Sequence, residues 1–270
     1  MKSRLLVAAV GIPLLLIILF LCPPVVTVLA ISALSAIGAN ELLHTTGIVP
    51  HKRMVVYGMV MAFLVPLWSY FSGDIFVAAV GVAFFAALLF VETLAAYPNV
   101  KFSAVSGALF GGIFIPLCLS AIARILVGDF GKHLVVVPLM IPFISDAGGY
   151  FAGMLFGKHK LAPVLSPKKT REGAIGSLVV TALVMVIFGL IMQFGFHLTY
   201  NYLYGIIYGI AGSLISIIGD LSFSMIKREV GIKDYGKLFA AHGGVLDRFD
   251  SVIFAAPVVE ILLRLIPLFS

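Results

Sequence analysis

"NYLYGIIYGIAGSLISIIGDLSFSMIKR", residues 201–228, is apolar along most of its length, yet an aspartate interrupts it two turns before a Lys-Arg pair. A bilayer core takes about 20 apolar residues of α-helix, so this stretch is long enough to cross one. Gly205, Gly209, Ser213, Ser216, Asp220, Ser224 and Lys227 recur at three- and four-residue spacing. Residues so spaced share one face of a helix. That face is small at one end and polar at the other, and it places Asp220 on the order of 10 Å from the charged end. The stretch therefore reads as a membrane helix with a carboxylate inside it.

The rest of the chain agrees. Of its 270 residues, 61% are hydrophobic and 11% charged, where a soluble domain carries roughly a quarter charged. The expected fold is all-α, a polytopic integral membrane protein of about nine transmembrane helices. Their limits are near 4–21, 25–44, 54–71, 75–96, 103–127, 134–157, 173–196, 202–226 and 249–269. The first run is also a candidate signal peptide, but it ends in "LCPP" without a small-residue cleavage site, so a retained helix is expected. Cys22 and Cys118 fall inside apolar runs and read as buried hydrophobes. Residues 1–100 are generic apolar sequence. The chemistry is expected in 101–270, with its loops 158–172 and 227–248.

The net charge of +6 points to loops facing the cytoplasm rather than to nucleic acid, which is not an expected partner. With the N-terminus inside, every basic residue except Arg124, Lys132 and Arg264 falls in a cytoplasmic segment. The expected topology is N-terminus cytoplasmic, C-terminus outside, in the cell's inner membrane. Both long charged loops then face the cytoplasm, and so should the active site.

A carboxylate inside a span is costly unless it meets protein, water or a cation. Asp146 opens a second stripe, Asp146, Gly149, Gly153 and Gly157; small residues so spaced let helices approach closely. Packing accounts for the glycines but not for an aspartate on each stripe. Asp247 and Asp250, three apart at the start of the last span, share a helix face, where capping is the competing reading. Converging carboxylates need a cation, and hard oxygen ligands suit Mg²⁺, which often shares its shell with phosphate. No His/Cys cluster offers a zinc site. The stretch "LSPKKTREGAIGS", 165–177, sets Lys168, Lys169 and Arg171 before a helix that Ser166 or Thr170 is placed to cap. A helix N-terminus beside lysines suits phosphate; a solvated positive-inside loop explains the same residues equally well.

These residues resemble the integral-membrane phosphatidate cytidylyltransferases, or CDP-diacylglycerol synthases. The family's signature is matched by Ser224, Lys227-Arg228, Lys233-Asp234, Gly236, Phe239, His242-Gly243-Gly244 and Asp247-Arg248-Phe249-Asp250. It departs mainly at Ala240, where the family has Pro or Gly, and no charged position is touched. The family's "SPKKTxEG" stretch is matched by Ser166 to Gly173, and its intramembrane aspartate by Asp146. The resemblance covers the C-terminal half. It implies transfer of a cytidylyl group from CTP to phosphatidate at the bilayer, giving CDP-diacylglycerol and pyrophosphate with Mg²⁺. It leaves room for a second cation and for a homo-oligomer.

Under that resemblance Asp220 and Asp247 hold the metal, with Asp250 and Asp146 as further ligands or their supports. Lys168, Lys169, Arg171, Lys227, Arg228 and Arg248 hold phosphates, aided by Ser166, Thr170, Ser224, Lys233, Asp234, Gly243 and Gly244. His242 reads equally as a phosphate contact or as part of its turn. The rival from another class is a cation-coupled transporter using Asp146 and Asp220. It is weakened because the aspartate motifs do not repeat between the two halves.

Overall fold

The computed structural model describes residues 11, 13–236 and 243–269. His242 and part of the expected first span lie outside them; residues 13–20 are helical. The helices are α1 (Pro24–Asn40), α2 (Lys52–Phe71), α3 (Ile75–Ala95), α4 (Phe102–Leu109), α5 (Ile115–Val127), α6 (Val137–Phe156), α7 (Arg171–Phe196), α8 (Tyr202–Glu229) and α9 (Leu246–Leu265). A π-helical turn, Glu41–Thr45, extends α1, and another, Phe110–Phe114, joins α4 to α5.

Among the described residues, seven helices are long and apolar enough to cross a membrane, from Pro24–Thr45 to Tyr202–Glu229. Each lies within a few residues of its expected limits. The helix expected at 249–269 forms three residues early, as α9. Asp247, Arg248, Asp250, Glu260 and Arg264 make it too charged to be identified as a span by composition. The expected count of nine therefore stands at seven apolar spans and one charged helix, beside the helical residues 13–20.

One difference lies in the loop 158–172. Lys160–Ala162 (β1) and Ser166–Thr170 (β2) pair antiparallel, with Lys160 opposite Thr170 and Ala162 opposite Ser166. The all-α expectation holds for the helices, and this small hairpin interrupts it. Strands of three and five residues suffice to close such a ladder once α6 and α7 bring its ends together.

The chain divides into two compact units. The first comprises Met1–Val127 with Glu229–Phe249. Pro24 starts α1 at a position where the missing N–H is harmless. Asp74 caps α3, accepting from Phe76 N–H at 2.7 Å and Val77 N–H at 3.2 Å. Helices α1, α2 and α5 bury Met54, Ala62, Ile115 and Leu119 between them. α3 buries only Phe85 and Leu89, so the rest of its apolar surface is suited to hydrocarbon.

The second unit comprises Gly128–Arg228 with Asp250–Ser270. Here α6 and α7 run backbone against backbone. A Cβ added at Gly149 would stand 2.5 Å from Ser177 Oγ, and one at Gly173 would stand 2.7 Å from the Gly149 carbonyl oxygen. The glycine stripe after Asp146 is thus a packing surface. On α8, Gly205, Gly209, Ser213, Ser216, Ser224 and Lys227 are all buried, and Asp220 is half-buried. The face read from spacing is the face that packs, while Leu203, Ile206, Ile210 and Leu214 point outward. Tyr200 and Tyr208 donate their hydroxyls to Met185 O at 3.0 Å and Ile266 O at 3.1 Å, so neither buried ring leaves its polar end unsatisfied.

Candidate active site

In the second unit, α6, the hairpin, α7 and Ile217 of α8 surround a cavity of about 390 Å³. Asp146, Ser166, Lys168, Lys169 and Thr170 line it, together with the apolar Tyr150, Met154 and Leu161. A lining that mixes charged and hydroxyl side chains with apolar ones suits an amphiphile's headgroup region.

Local chemistry builds the polar lining. Thr170 is the N-cap of α7, its hydroxyl oxygen accepting from Gly173 N–H at 3.1 Å. Of the two caps expected from sequence, Thr170 is therefore the one used; Ser166 lies instead in β2 and on the cavity. Glu172, in the first turn of α7, accepts from Lys158 N–H at 3.1 Å and His159 N–H at 3.2 Å. His159 Nδ1 lies 2.5 Å from its other oxygen, and Arg171 N–H donates to His159 O at 2.9 Å. Glu172 thus ties the start of the hairpin to the helix that follows it. Sequence reading missed this role, although an acid in the first helical turn was its visible signal.

The ammonium of Lys169 forms an ion pair with the carboxylate of Asp220, both side chains being partly exposed. Lys168 is more exposed. Arg228 donates from Nε to Leu165 O at 3.3 Å, placing the end of α8 on the hairpin's turn. Lys227 and Asp250 are buried, at 9% and 7% exposure. The charges acting on Asp250 are those of Asp220, Lys227 and Asp146, so three of the four expected carboxylates share one electrostatic neighbourhood. One oxygen of Asp250 also accepts from Ser251 N–H at 2.7 Å. Ser224 is buried on the same face of α8.

Carboxylate oxygens of this kind suit Mg²⁺. Among the described residues, however, no three His, Cys, Asp or Glu side chains converge closely enough to hold a metal ion. Lys169 is the cation that Asp220 meets here.

The remaining expected residues lie in the first unit. Asp247 sits in the first turn of α9, where its Oδ2 accepts from Tyr235 N–H at 2.8 Å and Gly244 N–H at 2.9 Å. Gly243 has φ +82°, a conformation that favours glycine. A Cβ there would also stand 2.7 Å from Asp247 Oδ2. Lys233, Asp234 and Arg248 are exposed. Glu41 is buried beneath the same turn, and no signal in its apolar surroundings marked it.

The cytidylyltransferase family matches residues 2–266. The phosphatidate cytidylyltransferase of Staphylococcus haemolyticus (strain JCSC1435) is 38% identical over 154 residues, 54% of this chain and 58% of the relative. That of Mycobacterium tuberculosis (strain ATCC 25618 / H37Rv) is 36% identical over 172 residues, 63% of this chain and 50% of the relative. That of Bacillus subtilis (strain 168) is 33% identical over 206 residues, 75% of each. The match thus spans little more than half the length of the first of these relatives. With the family matched nearly end to end, and the residues of its "SPKKTxEG" stretch lining one cavity with Asp146, this chain belongs to the cytidylyltransferase family.

Proposed function

We propose that the protein transfers a cytidylyl group from CTP to phosphatidate, giving CDP-diacylglycerol and pyrophosphate, with Mg²⁺. The observation that carries the reading is the cavity lined by Lys168, Lys169 and Thr170 together with Tyr150, Met154 and Leu161. A lipid phosphate needs both kinds of lining. The relatives' name supplies the nucleotide and the lipid, and nothing in the residues reads cytosine. The transporter alternative draws no support from a transferase family.

In the proposed reaction a phosphate oxygen of the lipid attacks the α-phosphorus of CTP, forming a new P–O bond as the bond to the β-phosphate oxygen breaks. Pyrophosphate carries away that electron pair. Such a step depends on placement and charge neutralisation more than on a protein nucleophile. Lys168, Lys169 and Arg171 are assigned to phosphate oxygens at the N-terminus of α7, where unpaired N–H groups add positive potential. Lys227, Arg228 and Arg248 are assigned to the same task, with Ser166, Thr170, Ser224, Lys233, Asp234, Gly243 and Gly244 as substrate contacts. Mg²⁺, when bound, supplies further neutralisation of phosphate charge; the resemblance assigns it to Asp220 and Asp247, with Asp146 and Asp250 in support. The active site is proposed to face the cytoplasm, the source of CTP.

Purified protein given radiolabelled CTP and phosphatidate should yield a lipid-soluble label that requires Mg²⁺. No label with phosphatidate present would overturn the reading. CTP-independent ion flux into sealed vesicles would favour the transporter.

A further inference from the structure

The turn before α9 has its backbone donors filled by a residue far away in the sequence. Glu41 is 6% exposed. Its Oε1 accepts from Val245 N–H and its Oε2 from Leu246 N–H, each at 3.0 Å. The first N–H groups of a helix have no partner within that helix and are usually capped from the residues just before it. Here the acceptor comes from the end of α1. Gly38, one turn earlier, meets the same target: a Cβ there would stand 3.1 Å from Leu246 Cδ2. Glu41 opens the π-helical turn that ends the span, a widening often found where a side chain must be re-aimed for function.

The same carboxylate accounts for two glycines of the motif. A Cβ at Gly236 would stand 2.7 Å from Glu41 Cδ, and one at Gly244 would stand 2.5 Å from it. Neither glycine has a positive φ, so space, not backbone conformation, excludes a side chain there. Two carboxylates thus divide the donors of one turn: Glu41 takes Val245 and Leu246, and Asp247 takes Tyr235 and Gly244. Glutamine could not replace Glu41, because its single acceptor oxygen serves one donor and its NH₂ would face the other.

We propose that Glu41 is a positioning residue for the transfer reaction: it fixes the turn from which Asp247 projects and touches no substrate itself. This rests on the proposed function, in which Asp247 serves the reaction.

The test uses the full chain in lipid nanodiscs, reading amide hydrogen exchange by mass spectrometry alongside steady-state kinetics. Glu41→Gln should speed exchange over 243–250 by about tenfold or more, as expected for lost bonds to a charged acceptor. Peptides from α6 and α7 should be unchanged. kcat should fall about 10- to 100-fold, the usual effect of losing a supporting partner, with KM for both substrates within about threefold. Glu41→Asp, which keeps the charge, should recover part of both readouts. Unchanged exchange over 243–250, or a raised KM at unchanged kcat, would overturn the proposal. Gly244→Ala gives a second route. It should produce the same exchange signature, and its effect should shrink in a Glu41→Ala background, where the crowding carboxylate is gone. Additive effects would overturn the proposal, also where Glu41→Gln fails to fold. A wild-type protein inactive on CTP and phosphatidate would sink the proposed reaction, while the exchange result would still decide whether Glu41 holds the turn.

Discussion

The ammonium of Lys169 rests on the carboxylate of Asp220, joining the hairpin to α8. From sequence these two residues had separate tasks, one toward phosphate and one toward metal. Each neutralises the other, so neither charge stands uncompensated between the hairpin and α8. Binding of a phosphate and a cation would substitute for both partners at once.

Asp220→Asn should therefore separate stability from activity. A partly exposed ion pair contributes at most about 1 kcal/mol, so thermal unfolding in detergent should shift little. Turnover should fall at least about a hundredfold, because a carboxylate anchor for phosphate-bridging charge is gone. Near-normal Mg²⁺-dependent turnover in this variant would remove Asp220 from the metal assignment.

The two lysines of the hairpin should differ. Lys169→Ala loses a half-buried charge on the cavity, and we expect the KM for CTP or for phosphatidate to rise by about tenfold. Lys168, more exposed, should matter less. Steady-state titration of each substrate checks this. If turnover at low substrate is unchanged in the double alanine variant, the loop serves topology alone.

Backbone-close packing of α6 on α7 predicts sensitivity to a single methyl group. Gly149→Ala would press on Ser177 Oγ and should destabilise by about 1–3 kcal/mol. Gly195→Ala, with nothing within 4 Å of the new Cβ, is the control and should be neutral or better. Thr170→Ala should cost about 1 kcal/mol through loss of the α7 cap, and Thr170→Ser should retain most of it. Thermal unfolding of the purified variants measures all four.

Topology is tested at Val164, which is 82% exposed in the hairpin turn. In a Cys22→Ser, Cys118→Ala background, Val164→Cys should react with an impermeant maleimide only from the cytoplasmic side. Labelling from outside would reverse both the orientation and the proposed facing of the site.

Much of this was legible because membrane helices carry their instructions locally. The stripe from Gly205 to Lys227 identifies its buried face by spacing alone, and Thr170 marks a cap by its neighbours. The hairpin was not legible: "KLA" and "SPKKT" have no strand-like hydrophobic alternation, and their pairing depends on α6 and α7 holding the ends. Glu172 was readable in principle, as an acid in a first turn. Glu41 was not. Its partners lie 204 and 205 residues away, and nothing local distinguishes an acid that serves a distant turn from one at the end of a span. α9 shows the converse, since the charges that suggested chemistry also keep it from the seven helices apolar enough to cross a membrane, although the sequence reading expected it as a span.

The span between Glu41 and Val245 also sets an order of events during synthesis. At about 5–20 residues per second, the 204 residues separating them take roughly 10–40 s to emerge. Through that interval α1 is already made, and its terminal carboxylate has none of the donors it will finally hold. This turn is therefore completed late: the segment that holds Asp247 also brings the donors that an early helix end awaits. A chain ending before residue 245 would lack both N–H donors that Glu41 accepts from.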